Sequence, residues 1–142
     1  MRIMSVDYGA VRTGIAVCDV FETLASPVTV ITEYHFERLP EKIAEEAKKL
    51  RAEHIVVGLP KQMNNQPSEN MVRIEPFVNR LRKVLPQIPV EYVDERFTSV
   101  LAHQAMIDGG LKKKDRQRKE LVDEISATII LQSYMDSRKF NL

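Results

Sequence analysis

Asp7, Glu95 and Asp123 are the residues of this chain with the types and settings that could do chemistry. Asp7 follows the apolar run Ile3-Met4-Ser5-Val6. It precedes the turn Tyr8-Gly9-Ala10-Val11-Arg12-Thr13-Gly14, after which Ile15-Ala16-Val17 resumes the pattern. β-branched residues suit a pleated, buried surface, and glycines at 9 and 14 allow positive φ or a close backbone approach. Asp7 is therefore expected where a buried strand gives way to a hairpin. A carboxylate there is costly to desolvate unless a cation or several donors meet it. A divalent metal would do so, and so would the backbone amides of a capped turn.

Glu95 stands just past a second short apolar run, Val90-Glu91-Tyr92-Val93, in the sequence Asp94-Glu95-Arg96. Alternation along a strand sets Asp94 on the opposite side from Glu95, which makes Asp94 the weaker candidate. Asp123 falls in a segment with helical periodicity. There it shares a face with Ser126, Ala127 and Ile130 through the i+3, i+4 and i+7 relations. The small residues at 126 and 127 would let this helix sit close to a sheet. An acid early in a helix also complements the helix dipole, so Asp123 alone is ambiguous. Taken together, three hard oxygen donors on separate elements suit Mg²⁺ or Mn²⁺. Two such ions can activate a water and stabilise the leaving oxygen in phosphodiester hydrolysis.

Lys112, Lys113, Lys114, Arg116, Arg118 and Lys119 crowd around a single Asp115. This block lacks apolar periodicity and reads as a loop that could hold the phosphates of a polynucleotide. Arg12, in the first turn, and Arg96, beside Glu95, are further phosphate clamps, because guanidinium matches phosphate geometry. The plainer alternatives are a solvated loop for the block and a structural ion pair for Arg96. His35, His54 and His103 have no spacing that suggests a metal site or a catalytic triad.

Composition bounds these readings. A chain of 142 residues fits one domain, 1–142, with room for a real core. The formal net charge is only +1, so any signal for nucleic acid is local. A lone Cys18 excludes an intramolecular disulfide and a cysteine-rich zinc site, fits a reducing cytosol, and reads as a small buried hydrophobe. There is no apolar run long enough to span a bilayer and no signal-peptide pattern, so no membrane partner is expected.

The elements that must position the acids follow from period and punctuation. Residues 3–8 and 13–20 form a hairpin, and Pro27–Thr32 a third strand, giving an antiparallel meander. Leu39, Ile43, Ala47 and Leu50 recur at helical spacing within 36–50, with Pro40 near the start and acids before bases. His54–Gly58 is a buried strand, parallel to the first because a helix precedes it. A polar loop covers 61–67. Ser68 caps a helix with Met71, Ile74, Val78, Leu81 and Leu85 inside and Pro76 as a possible kink. After the strand at 90–93, Thr98 or Ser99 caps a helix carrying Leu101, Ala105 and Met106, stopped at Gly109-Gly110. A last helix spans about 120–136, with Leu121, Val122, Ile125 and Ile129 as core candidates. The order β-β-β-α-β-α-β-α-α predicts an α/β fold with a mixed sheet flanked by helices. Ligands in such sheets bind beyond the carboxyl ends of the strands, where Asp7 and Glu95 fall.

Four blocks carry a family likeness over nearly the whole chain. They are Asp7-Tyr8-Gly9 with Arg12-Thr13-Gly14-Ile15-Ala16; Val57-Gly58-Leu59-Pro60; Asp94-Glu95-Arg96-Phe97-Thr98-Ser99; and Val122-Asp123 leading to Ile129-Ile130-Leu131-Gln132. In these the chain resembles the YqgF/RuvX family, Holliday-junction-resolvase-like proteins regarded as pre-16S rRNA nucleases. The resemblance implies an RNase H-like fold with a five-stranded mixed sheet, a bacterial cytoplasmic location, and maturation of the 5′ end of small-subunit ribosomal RNA. It implies Asp7, Glu95 and Asp123 as the active-site acids. Phe97 where leucine is usual, and Ser126 before Ala127 where paired alanines are frequent, depart from the pattern only in packing.

The leading expectation is a metal-dependent nuclease acting on structured nucleic acid, as a monomer or homodimer, with ribosomal precursor particles as a further partner. A resolvase cutting branched DNA is the nearest rival, and a symmetric dimer would suit it. Asp7 with Gly9 and Gly14 also resembles the first phosphate loop of actin-like ATPases, but the second loop and the second lobe are lacking. A non-catalytic nucleic-acid-binding module would bind equally well without Mg²⁺.

Overall fold

The computed structural model describes the backbone of residues 1–59, 71–94 and 119–140, and within them the side chains of 1–58, 72–93 and 125–138. The expected loop at 61–67, the Ser68 cap, the helix after Thr98 or Ser99, Arg96, His103 and the basic residues 112–118 lie outside the described residues.

Three strands open the fold: β1 (Ile3–Asp7), β2 (Arg12–Cys18) and β3 (Ala25–Thr32). A 3₁₀ turn at Phe36–Arg38 leads into α1 (Leu39–Leu50), followed by β4 (His54–Leu59), α2 (Met71–Val84) and β5 (Val90–Asp94). The last described element is α3 (Lys119–Phe140). The strands form one sheet in the order β3-β2-β1-β4-β5. β1–β2 and β2–β3 are antiparallel, whereas β1–β4 and β4–β5 are parallel. This is the expected meander joined to helix-linked parallel strands. Pro27 sits in β3, an edge strand, where the missing N–H is tolerated, and the β2–β3 register shifts beside it between Ile15 and Ala16.

The two faces of the sheet are covered differently. On one, Met4, Val6, Tyr8, Ile55 and Val57 meet α1 and α2 through Leu39, Ile43, Ile74, Phe77, Val78 and Leu81. The helical spacing read from the sequence selects these positions, and Phe77 completes them. Each large side chain so buried contributes about 1.5–3 kcal/mol. Pro76 lies within α2, yet the helix runs through it, and both Pro76 and Val72, four residues earlier, are exposed. The N–H that proline lacks would have served the Val72 carbonyl.

On the other face, Ile3, Ala16, Cys18, Ala25 and Val56 meet α3, among the described residues, through Ala127, Ile130, Leu131 and Met135. The inner face of α3 differs from the expected one. Ile125 and Ile129 are half-buried, the side chains of Leu121 and Val122 lie outside those described, and the helix extends to Phe140 rather than stopping near 136. Ile125, Ala127, Ile129, Ile130 and Leu131 point all round the helix, so periodicity alone does not choose the side that packs. The small side chains do, because they admit a close approach. Cys18 is the buried hydrophobe expected, accepting the Ile3 N–H at 3.2 Å.

Candidate active site at the carboxyl edge of the sheet

Asp7 is the last residue of β1, at the sheet's centre, and is half-buried. Ser5 and Asp7 share a strand face, two residues apart. Ser5 is fully buried, and its hydroxyl donates to the Ala127 carbonyl of α3 at 2.6 Å. Asp7 thus belongs to the face that α3 covers. Its partner on β2 is Gly14, and Val6 pairs with Val57, so one further step of register sets Gly58 on its other side. The strand positions on both flanks of Asp7 are therefore glycines. The sequence shows Gly14 in a turn and Gly58 in a strand, and only the strand register makes them a pair.

The direction of α3 decides where Asp123 falls. Tyr134 lies over His54, with ring centroids 6.0 Å apart and planes within 8° of parallel, and His54 opens β4 level with Ile3. From Ala127 to Tyr134 the helix therefore descends from the level of Ser5 towards the start of β1. Going the other way, Asp123 is four residues before Ala127, about 6 Å of helix rise. Asp7 is two residues beyond Ser5, about 6.8 Å of strand. The backbone at 123 thus lies level with Asp7, on the helix face that carries Ser126, Ala127 and Ile130, respectively 4%, 0% and 1% exposed.

Glu95 lies outside the described residues, directly after Asp94, the last residue of β5, which pairs with Leu59. The Asp123 side chain and that of Asp94 also fall outside the described side chains. Among the described residues no three carboxylate, imidazole or thiolate side chains converge as a metal cluster. Arg12 opens β2 at the same edge, opposite Thr32, and is half-buried. Of the expected phosphate-binding block, only the backbone of Lys119 is described, at the first position of α3.

The other end of this face shows what a structural acid looks like here. The Glu91 carboxylate lies 3.3 Å from His54 Nε2. Hydrogen bonds from Tyr134 and His54 hold it below the usual carboxylate range. Burial, then the bond to Glu91, pushes the Tyr134 phenol up to about 12. Glu22 meets Arg138 at 2.9 Å and the terminal ammonium at 3.6 Å. His54 is thus a structural residue, as expected, and His35 is in a loop.

The family model described as RuvX, Holliday junction resolvase, matches residues 1–137. The chain belongs to the RuvX family. A protein of Phocaeicola vulgatus named "Putative pre-16S rRNA nuclease" is 62% identical over 139 residues, covering 98% of each chain. One of Bacteroides fragilis with the same name is 57% identical over 138 residues, covering 97% of this chain and 98% of its own. Among solved structures, Thermus thermophilus RuvC in complex with a Holliday junction substrate superposes with a TM-score of 0.62 at 16% identity, covering 98% of this chain and 96% of RuvC. That likeness establishes the fold, the RNase H-like sheet of the resolvases, and the family relation agrees with the resemblance read from the four sequence blocks.

Proposed function

We propose that this RuvX-family chain acts as one nuclease domain that hydrolyses phosphodiester bonds of structured nucleic acid, with the 5′ end of precursor 16S rRNA as substrate. The observation that carries the reading is the Ser5–Ala127 hydrogen bond. It locks α3 in the register that levels position 123 with Asp7, on the face where strand alternation through Glu91 and Val93 leads next to Glu95. The names of the curated relatives supply precursor 16S rRNA as the substrate, and the family resemblance implies its 5′ end.

In this reading Asp7, Glu95 and Asp123 hold Mg²⁺ or Mn²⁺ in a two-ion site. The donor set fits: carboxylate oxygens from three separate segments suit these hard ions. The bound ions would supply an activated water and charge neutralisation at the scissile phosphate and leaving oxygen. Asp7, on the central strand, anchors the set. Asp123 would come from α3 and Glu95 from the residue directly after β5. Arg12, Arg96 and the basic residues Lys112, Lys113, Lys114, Arg116, Arg118 and Lys119 grip the phosphates that flank the cut. Such an enzyme works in the cytoplasm, where precursor ribosomal particles are found.

The test offers purified protein with Mn²⁺ three substrates side by side: precursor 16S rRNA with its 5′ leader, single strands, and a four-way DNA junction. Cleavage of the leader is expected from the natural chain. Asp7→Asn, Glu95→Gln and Asp123→Asn should each fall to background while keeping a native circular dichroism spectrum. Full activity in any one of the three removes that residue from the mechanism. The family description and the RuvC fold favour a second reading, resolution of branched DNA. Paired nicks in the junction with an intact leader would select it.

A further inference from the structure

A second feature stands at the same edge of the sheet, on the side away from α3. Tyr8, Tyr34, Phe36, Val72 and Arg73 line an open cavity of about 270 Å³. Its floor is held firmly. The Tyr8 ring packs on Phe77 with centroids 4.9 Å apart, and Phe36 lies under the Arg80 guanidinium at 5.2 Å. Arg73 lines the same cavity as Tyr8, which places a cation in the wall.

Tyr34 is different. It is 74% exposed, and Val72 is 79% exposed. An aromatic ring in water on a mobile loop would need no explanation, but this one is presented by pinned neighbours. The Glu33 N–H donates to the Val11 carbonyl at 2.9 Å, its carboxylate takes the Lys42 ammonium at 2.9 Å, and the same carboxylate accepts the His35 N–H at 3.0 Å. The backbone on both sides of Tyr34 is thereby tied to the β1–β2 turn and to α1.

We infer that this cavity stacks one unpaired base of a single-stranded RNA segment on Tyr34, with Arg73 beside it, while the neighbouring phosphates run on towards Asp7. Aromatic faces and a guanidinium are the groups that hold single-stranded nucleic acid without reading its sequence. An apolar peptide side chain would have no use for the cation. Tyr8 follows Asp7 directly along the chain, so a strand crossing this edge meets both. The inference rests on the nuclease reading for its ligand, but not on the metal chemistry.

The experiment scans 2-aminopurine through a single-stranded RNA containing the leader sequence and measures fluorescence and affinity in EDTA, so that metal-dependent hydrolysis is stopped. The full chain should quench the probe at one or more positions. Tyr34→Ala should lose that quench and bind about tenfold more weakly, whereas Tyr34→Phe should keep both. Tyr34 is exposed, so its truncation leaves the core intact, and circular dichroism verifies this. Equal quenching and affinity in Tyr34→Ala overturns the inference. So does a chain that cleaves the leader with Mn²⁺ yet quenches no position, and in that case the nuclease reading stands. Tyr34-dependent quenching by a chain that cuts nothing keeps the stacking site and removes the reaction.

Discussion

The two faces of the sheet are built from different side chains, and the difference shows how this fold separates holding from doing. The face under α1 and α2 is filled by Met4, Val6, Ile43, Ile55, Ile74, Phe77 and Leu81, all essentially inaccessible to water. Among the described residues, the face under α3 is filled by Ala16, Cys18, Ala25 and Ala127 beside fewer large residues, and it includes the buried hydroxyl of Ser5. Large residues give area, and area gives stability. Small residues and one directed hydrogen bond give less of both, but they fix how near α3 lies and at what height. The first face keeps the chain folded. The second fixes the position of an acid on a helix relative to an acid on a strand.

Substitutions on each face should break this contrast in opposite ways. The largest expected effect is Phe77→Ala, which should cost about 3–5 kcal/mol by leaving a cavity between α2 and the sheet. Chemical denaturation measures it, and nuclease activity per folded molecule should hold. Ala127→Leu should cost less, about 1–3 kcal/mol, by overpacking the contact with β1. It should nevertheless remove far more activity from the folded protein, because a shift of about 1 Å at a reacting site can cost about 10²-fold. Unchanged kcat in Ala127→Leu would mean that the height of α3 does not matter. Ser5→Ala should cost about 1 kcal/mol through the lost hydrogen bond and lower kcat rather than KM.

The smallest effect concerns the loop that presents Tyr34. Lys42 and the His35 N–H hold the Glu33 carboxyl down to about 2, from an unfolded value near 4.5. A depressed folded value means the stabilisation is complete above the unfolded value and disappears as pH falls towards 2. Glu33→Gln should therefore lower the thermal midpoint at pH 7, with the gap to the natural chain narrowing as the pH drops below about 4.5. A gap independent of pH would show that the carboxylate's charge is not what ties the loop.

Asp7 and Asp123 were legible because each interrupts an otherwise apolar pattern, Asp7 at a strand's end and Asp123 beside small residues at helical spacing. The antiparallel meander followed from three sequential period-two runs with short links, and the parallel setting of β4 from the intervening helix. The inner face of α3 was not legible. Ile125, Ile129, Ile130 and Leu131 are equally apolar, and only the partner surface selects Ile130 and Leu131 for full burial. Nor was the cavity beside Tyr8, whose walls come from the turn after β1, the segment after β3, and α2.

The amino-acid order by itself determined which stretches pair and which coil, and it determined the chemistry available, because residue type and local period are properties of adjacent positions. The tertiary structure alone decided that Gly14 and Gly58 flank Asp7, that α3 runs antiparallel to β1, and that position 123 stands level with position 7. Those relations join residues up to 122 positions apart. Register and helix height are set by how surfaces fit once they meet, which no local pattern encodes.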